Sequence, residues 1–254
     1  MLGLSIFLGW LITRHLAERY DGFPNARTGN LYILTVIAAM VGARLLYVVT
    51  NLERFDTWQE LVALNQGGLV VYGGFLGGFV AAFWLCRKHG LSVLAWGDAA
   101  VPALAVGLII TRIGCFLYGC DYGQPWDGPW AVRFPPGSPA YISHRINGLL
   151  PEHAPSSLSV HPTQLYESLV GLSLLVLTLW MWRRRKHRGE VFAAFTMAYA
   201  VLRFLLELLR GDDQRGSQFG FSTSQVIAML TFGAGAALWI WLRRTPTVAS
   251  ARAR

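Results

Sequence analysis

Charged residues are scarce in this sequence, at 14% of 254 residues, whereas soluble domains carry roughly 25%. Hydrophobic residues make up 54% of the chain. This balance excludes an ordinary soluble globular protein and indicates that a lipid bilayer is the solvent. Cysteines are also few, and an odd total of three is a poor basis for a disulfide framework. The sequence alone therefore assigns no redox role to Cys86, Cys115 or Cys120.

Acidic residues are fewer than basic ones, with 14 Asp and Glu against 22 Lys and Arg, so the formal net charge is +8. In a soluble protein this excess would suggest nucleic acid as a partner. Here the basic residues cluster between apolar runs, where they orient a membrane protein. We expect no nucleic-acid partner. No cluster of metal ligands stands out, and neither a metal nor an organic cofactor is expected.

Runs of about 20 apolar residues are long enough to cross a bilayer as helices. Seven such cores predict an all-α polytopic membrane protein, near residues 1–16, 31–50, 69–86, 98–118, 164–182, 190–209 and 224–242. The first run lacks the basic start and cleavage site of a signal peptide, so we expect it to be a retained membrane segment that is shortened at its start.

Basic residues occur in alternate connections, which the positive-inside rule places in the cytoplasm. They are Arg14, Arg19, Arg27, Arg87, Lys88, Arg183, Arg184, Arg185, Lys186, Arg188, Arg243, Arg244, Arg252 and Arg254. The other connections, 51–68, 121–163 and 211–223, face the periplasm in this prediction. They carry the acidic residues Glu53, Asp56, Glu60, Asp212 and Asp213. The N-terminus is then outside and the C-terminus inside.

No second soluble domain is apparent, so residues 1–254 are predicted to form a single integral membrane domain. The long connection 121–163, between spans four and five, is rich in Pro, Gly, Ser and aromatic residues. We interpret it as a small periplasmic head or lid, although loops of this length can also be partly disordered.

Ionisable and polar side chains inside spanning helices are costly and mark functional sites. In the predicted topology eight of them fall in the outer half of the membrane, namely Arg44, Tyr72, Arg112, Gln164, Tyr166, Glu167, Arg203 and Glu207. Five helices thus contribute to one polar chamber that is open to the outer leaflet. Three arginines would attract an anion, and a phospholipid phosphate fits their planar donor groups. Each arginine alone could instead snorkel or form an ion pair, as Arg203 could with Glu207.

Two further motifs lie at predicted helix starts. The run 71–78, VYGGFLGG, places glycines four residues apart, a pattern that lets membrane helices pack closely. It would also leave room beside Tyr72 for a lipid or a peptide. The segment 161–167, HPTQLYE, lies where the outer loop enters the fifth span, and Pro162 or Thr163 can begin that helix. His161 is either a loop residue or a base.

These residues resemble the prolipoprotein diacylglyceryl transferase family over nearly the whole chain. The most specific match is the segment 112–123, RIGCFLYGCDYG, which is similar to the family signature. Supporting matches are GARLLY at 42–47, the pair Gly73 and Gly74, HPTQLYE at 161–167, and the segment from Arg203 through Glu207 to Arg210.

The resemblance implies a seven-helix membrane body with a small periplasmic head in the inner membrane. It also implies transfer of a diacylglyceryl group from phosphatidylglycerol to the lipobox cysteine of a prolipoprotein, with glycerol 1-phosphate released. We expect the protein to act as a monomer. The expected catalytic residues are Arg112, Arg203, Tyr72, His161 and Glu207. The expected phosphatidylglycerol-binding residues are Arg112, Arg203, Arg44, Gly73, Gly74, Gly114, Gln164, Tyr166, Glu167, Arg210 and Asp121.

Departures from the family pattern leave alternatives open. Tyr72 stands where many members have a histidine proposed as the base. Either nearby arginines activate Tyr72, or His161 replaces it, or no side-chain base is needed. Cys115 and Cys120 stand where the signature has Asn and Glu, with Asp121 as a substitute carboxylate. A lipid or anion transporter, a membrane scaffold and a paralogue that binds lipid without transferring it are the other classes considered.

Overall fold

The computed structural model describes residues 1–55, 57–62, 68–211, 217–218 and 221–244. These residues form nine α-helices: α1 (Leu2–Asp21), α2 (Asn25–Thr50), α3 (Trp58–Val62), α4 (Val71–Lys88), α5 (Val93–Tyr118), α6 (Pro139–Ile146), α7 (Thr163–Trp182), α8 (Glu190–Glu207) and α9 (Thr223–Arg243). Two short strands, β1 (Ser217–Gln218) and β2 (Phe221–Ser222), pair antiparallel before α9. Five charged residues used in the orientation prediction, Asp56, Asp212, Asp213, Arg252 and Arg254, lie outside the described residues.

A long helix covers each of the seven predicted apolar cores. Four of them, α2, α5, α7 and α9, are long and apolar enough to cross a membrane. The protein is therefore a helical membrane protein. The other three, α1, α4 and α8, are not among these four; α8, for example, contains the charged residues Glu190, Arg203 and Glu207. Residues Ile33, Ile37, Val41, Leu45 and Val49 form an exposed apolar stripe on α2, which suits contact with lipid.

The chain divides into two compact units, Trp10–Ala100 and Met1–Gly9 with Val101–Arg254. We call them the first and the second unit. In the first unit, α2 and α4 pack closely because glycines face the partner backbone. A Cβ added at Gly77 would lie 2.5 Å from the carbonyl oxygen of Ala38, and one at Gly73 would collide with that of Gly42. The packing function predicted for this glycine run is confirmed.

In the second unit, α7, α8 and α9 pack in sequence order. Gly235 of α9 allows a close approach to α8, since an added Cβ would lie 2.9 Å from Cγ of Met197. Gly171 of α7 does the same toward α5, where an added Cβ would lie 2.9 Å from Cγ1 of Ile109. Small residues therefore bring these helices together, as is common between membrane helices.

The connection between α5 and α7 has ordered structure of its own in the second unit. It contains α6, which begins at Pro139 after the N-cap Ser138. Isolated bridges pair Val160 with both Pro125 and Val132. Its buried cluster consists of Tyr122, Phe134, Ala140 and Val160, with Phe116 and Val132 packed against it. This core fixes the segment that leads from α5 into α7.

Candidate active site

The helix α5 ends in a turn that reverses the chain beside Arg112. The N–H of Gly119 donates to the carbonyl oxygen of Phe116 at 3.2 Å, and the N–H of Cys120 donates to that of Cys115 at 3.2 Å. These two bonds form a Schellman motif, with Gly119 in the left-handed conformation at φ 81°. The next residue, Asp121, also has a positive φ of 56°. A non-glycine residue in this region is uncommon and marks a backbone held by its surroundings.

Four charged side chains meet at this turn. Nη1 of Arg112 lies 2.8 Å from Oδ2 of Asp121, and Nε of Arg112 pairs with Oε2 of Glu167. Nη1 of Arg210 lies 3.1 Å from Oε1 of Glu167, and its Nη2 pairs with Oδ1 of Asp121. Two cations and two anions thus alternate around a closed ring, which we call the charge ring. The ring joins the end of α5, the start of α7 and the segment after α8.

The backbone around Asp121 is tied to the first turn of α7. Oγ1 of Thr163 donates to the carbonyl oxygen of Asp121 at 2.8 Å. Nε2 of Gln164 donates to the carbonyl oxygen of Cys120 at 2.6 Å. Gly123 forms a bridge with Arg210. These bonds compensate for the unusual backbone of Asp121 and hold its carboxylate between the two arginines.

Burial differs between the two carboxylates of the charge ring. The side chain of Glu167 is 4% exposed, whereas that of Asp121 is 31% exposed. Burial alone would raise the pKa of the Asp121 carboxyl, but the guanidinium groups of Arg210 and Arg112 outweigh it and lower that pKa to about 2. Asp121 is therefore ionised at neutral pH, and it is the carboxylate of the ring that solvent can reach.

Arg203 and Glu207 form a second polar group at the end of α8. Their atoms Nη2 and Oε2 lie 2.7 Å apart, so the ion pair that their spacing allows is formed. Oγ of Ser222 donates to Oε1 of Glu207 at 2.8 Å, and Nη2 of Arg203 lies 3.4 Å from Oγ of Ser224. Ser222 is also the N-cap of α9, in a capping box with Gln225. The start of α9 is thereby tied to the end of α8.

The site contains two buried polar atoms that form no hydrogen bond in the described part of the chain. Nη1 of Arg203 and Oε1 of Gln164 are both buried, and neither has a hydrogen-bond partner among the described residues. Nη2 of Arg112 likewise forms no hydrogen bond in that part of the chain, and this side chain is 20% exposed. A buried donor without a partner is costly, so such atoms are rare in native structures and commonly await a ligand or water. The second unit therefore offers guanidinium donors on two arginines.

His161 belongs to an aromatic cluster beside the charge ring. Its ring stacks on Trp126, with centroids 4.2 Å apart. Nε1 of Trp130 donates to the hydroxyl of Tyr166 at 2.7 Å, and that hydroxyl lies 3.2 Å from Nδ1 of His161. Partial burial lowers the pKa of His161, which favours its neutral form. The Tyr166 hydroxyl thus bridges the indole N–H of Trp130 and Nδ1 of His161.

The predicted site residues of the first unit have other contacts. Arg44 is buried, and its guanidinium group donates to the carbonyl oxygens of Glu60, Leu61 and Gly68. Gly73 and Gly74 lie against α2. Tyr72 is 41% exposed in the first turn of α4. Arg44 thus binds the backbone of α3 and of Gly68, which its position in the sequence did not indicate.

Most of the predicted site residues of the second unit lie together. The charge ring contains Arg112, Asp121, Glu167 and Arg210, and Gln164 anchors the backbone beside it. Tyr166 lies in the first turn of α7 and contacts His161. Arg203 and Glu207 form the adjacent pair. Gly114 lies one turn before the end of α5, where an added Cβ would be 3.2 Å from Cγ of Met1.

Sequence reasoning missed two residues of this site, Ser222 and Ser224 at the start of α9. The signal was present, because Ser222 and Gln225 have the spacing of a capping box. A capping residue beside a carboxylate was not predicted, since only the packing of α8 against α9 brings them together.

Comparison with known proteins identifies relatives of the chain over most of its length. Residues 1–241 match the family described as prolipoprotein diacylglyceryl transferase. A protein of Clostridium tetani named phosphatidylglycerol–prolipoprotein diacylglyceryl transferase is 33% identical over 232 residues, which cover 90% of this chain and 87% of the relative. A protein of Gloeobacter violaceus with the same name is 32% identical over 250 residues, covering 94% of this chain and 86% of the relative.

Proposed function

The chain belongs to the prolipoprotein diacylglyceryl transferase family, and from that premise we propose that its charge ring and the Arg203–Glu207 pair form the active site of a lipid transferase. The enzyme transfers the diacylglyceryl group of phosphatidylglycerol to the lipobox cysteine of a prolipoprotein, a step of lipoprotein biosynthesis. The observation that carries the site assignment is the buried Nη1 of Arg203, a cationic donor without a partner in the described residues.

In the proposed topology, α1, α2, α4, α5, α7, α8 and α9 all cross the bacterial inner membrane. The N-terminus is outside and the C-terminus inside, because the basic connections then face the cytoplasm. The segment 121–163 forms the periplasmic head. The ends of α5 and α8 and the starts of α7 and α9 then lie on the outer side, and their polar contacts in the second unit support this common side. The protein acts as a monomer.

The substrate phosphate binds between Arg112 and Arg203 in this proposal. Arg203 keeps Nη1 for the phosphate while Glu207 holds its Nη2. Arg112 supplies Nη2. Arg44 positions the connection before α4, and Tyr72, Gly73 and Gly74 are proposed lipid contacts on the family resemblance. Gln164 presents Oε1 to a hydroxyl of the lipid headgroup.

The reaction forms one C–S bond and breaks one C–O bond. The thiolate of the substrate cysteine attacks the glycerol carbon that carries the phosphate oxygen, and glycerol 1-phosphate leaves with the bonding electrons. Thiolates are far better nucleophiles than thiols, so the cysteine proton must be removed first. Negative charge grows on the leaving oxygen, and pre-placed guanidinium donors stabilise the transition state more than the ground state.

Asp121 competes with the phosphate for Arg112. It is the more exposed carboxylate of the charge ring, and a phosphate group that approaches Arg112 displaces it more easily than the buried Glu167. Its return to Arg112 after the reaction then helps to expel the anionic product. Glu167 stays in place and keeps Arg112 and Arg210 aligned.

Two residues remain candidates for the base. The hydroxyl of Tyr72 is half-exposed and has no hydrogen-bond partner in the described part of the chain. Nδ1 of His161 lies 3.2 Å from the hydroxyl of Tyr166, so this ring nitrogen already has a hydrogen-bond partner. We propose Tyr72 as the base, because its hydroxyl is open to a substrate thiol. Full activity of a Y72F variant together with loss of activity in H161Q would reverse the assignment.

The decisive experiment incubates the purified protein with phosphatidylglycerol in detergent micelles and a lipobox peptide, and then weighs the peptide. We expect the mass to rise by one diacylglyceryl group. A paralogue that only binds lipid would leave the peptide mass unchanged and would refute the proposed reaction.

The R203K variant tests the phosphate site in the same assay. Lysine retains the charge beside Glu207 but lacks the second terminal nitrogen of the guanidinium group. The turnover should therefore fall about 100-fold, as when one transition-state donor is removed. R145K is the matched control, because Arg145 is exposed on α6 and forms no ion pair with the charge ring in the described residues. Equal turnover of R203K and R145K would show that Arg203 does not bind the substrate phosphate.

A further inference from the structure

The end of α5 brings two cysteines together. In a Schellman motif, the residue after the left-handed position commonly contacts a residue in the last turn of the helix. Here these residues are Cys120 and Cys115, and the backbone bond between them is 3.2 Å long. The Sγ atoms of both cysteines and one carboxylate oxygen of Asp121 all lie within 4.8 Å of one another. The pair is a consequence of the helix-ending turn, which sequence spacing alone did not reveal.

Both thiols are free and only partly buried, whereas the third cysteine, Cys86, is fully buried in α4. Sγ of Cys120 lies 3.8 Å from the carbonyl oxygen of Cys115 and 3.9 Å from Oδ2 of Asp121. A hydrogen bond from the Cys115 thiol lowers the pKa of Cys120. Cys120 is therefore the better nucleophile of the two, and Cys115 is placed to react after it.

A metal ion is a poor occupant of this group of atoms. Both oxygens of the Asp121 carboxylate are already paired with guanidinium groups, one with Arg112 and one with Arg210. A divalent cation would have to displace an arginine and would then lie beside two fixed positive charges. A reaction between the two sulfur atoms meets neither obstacle, because a disulfide is uncharged.

We propose that Cys115 and Cys120 are a redox-active dithiol that closes to an intramolecular disulfide by exchange with a disulfide-bearing compound. The Cys120 thiolate attacks one sulfur of that compound, and the first of its two thiols leaves. The Cys115 thiol then loses its proton and attacks Sγ of Cys120, which releases the second thiol. Two cysteine thiols are oxidised, and one external disulfide is reduced to two thiols.

The closure needs little movement. The sulfur atoms must approach from within 4.8 Å to the bond length of about 2 Å, which rotation of the two side chains can provide. The backbone between them is already closed by the turn and anchored to α7 through the carbonyl oxygen of Cys120. The proposed topology places the pair on the outer side, where disulfides persist. Only this placement rests on the proposed function.

The test treats the full-length protein in detergent with oxidised glutathione, removes the reagent, blocks remaining thiols with a maleimide and measures the intact mass. The C86S variant is used so that only the pair can react. We expect loss of two hydrogens with no glutathione and no maleimide attached, and recovery of two maleimide sites after treatment with dithiothreitol.

Two further variants, each lacking one thiol of the pair, distinguish the role of Cys120 from that of Cys115. In C86S/C115S, Cys120 should retain one glutathione, because no second thiol is present to displace it. In C86S/C120S, glutathionylation of Cys115 should be at least ten-fold slower than glutathionylation of Cys120 in C86S/C115S. Two stable glutathione adducts on C86S, or two free thiols after oxidation, would overturn the inference. The mass readout needs no lipid substrate, so it remains valid if the transfer assay fails.

Discussion

Glu167 is the buried centre of the charge ring, with a side chain 4% exposed between Arg112 and Arg210. Replacing it with Gln leaves two guanidinium groups with one carboxylate. Breaking a buried ion pair from one side costs roughly 3–5 kcal/mol. We expect E167Q to lower the free energy of unfolding by about 3 kcal/mol and to reduce lipid transfer, since Arg112 loses its alignment. Denaturant unfolding in detergent measures the first effect and the peptide mass assay the second.

The control for this variant is E152Q, because Glu152 is an exposed acid in the segment between α5 and α7. It removes the same charge from the same unit without touching the charge ring. A similar loss of stability in both variants would show that the ring contributes nothing beyond net charge.

The depressed pKa of Asp121 predicts how stability depends on pH. The folded state holds this pKa at about 2, below the unfolded value of about 4. The stabilisation by Asp121 is therefore complete above pH 4 and is lost as the pH falls through about 2. The Tm of the wild type should exceed that of D121N by a constant amount above pH 5, and the gap should narrow between pH 4 and pH 2. A gap that is independent of pH would mean that the carboxylate charge is not the stabilising feature.

At the scale of the element, the end of α5 depends on one glycine. Gly119 has φ 81°, and an added Cβ would lie 3.0 Å from Cβ of Ser138 and 3.1 Å from Cδ1 of Phe134. An alanine in the left-handed region costs about 1–2 kcal/mol, and the close contacts add to it. G119A should therefore destabilise the protein by more than 2 kcal/mol and reduce lipid transfer by displacing Asp121.

A matched control lies in the same unit. Gly137 has nearly the same backbone, at φ 84°, but an added Cβ there meets nothing within 4 Å. G137A should show the conformational cost alone, and the difference between the two midpoints of unfolding isolates the contacts of Gly119. Equal losses of stability in G119A and G137A would show that the contacts around Gly119 do not contribute.

The sequence predicted the presence of the long helices more accurately than the residues at which they begin and end. The first apolar core ends at residue 16, yet α1 continues through polar residues to Asp21 and stops before Gly22, which has φ 70°. Hydrophobicity reports only the part of a helix that faces lipid or the protein core. The short helix α6 was not predicted, although Ser138 and Pro139 are an ordinary start signal.

The site was predictable only where its contacts are local. The Arg203–Glu207 pair follows from a spacing of four residues on one helix. The charge ring joins Arg112 to Glu167 and Arg210, which lie far apart in the sequence, so only the packing of α5, α7 and α8 determines it. The same holds for the thiol pair, because it depends on the left-handed turn at Gly119.

At the scale of the whole molecule, charge asymmetry connects the fold to the membrane. The connection between α7 and α8 contains five basic residues within 183–188, whereas the much longer segment 121–163 contains only Arg133 and Arg145. Arg184 and Arg185 also lie over the rings of Trp180 and Trp182, at 4.2 and 4.0 Å from their centroids. Aromatic and basic residues together suit the boundary between lipid and cytoplasm.

This asymmetry predicts which segments a reagent outside the cell can reach. In a background with C86S, C115S and C120S, the single substitutions E152C and R184C place one thiol on each expected side, and both positions are exposed. A membrane-impermeant maleimide added to cells with a permeabilised outer membrane should label E152C protein at once, but R184C protein only after the inner membrane is broken. The reverse pattern would invert the topology and move the charge ring to the cytoplasmic side, where the thiol pair would stay reduced. Because labelling does not require lipid transfer, it tests the orientation even in variants without activity.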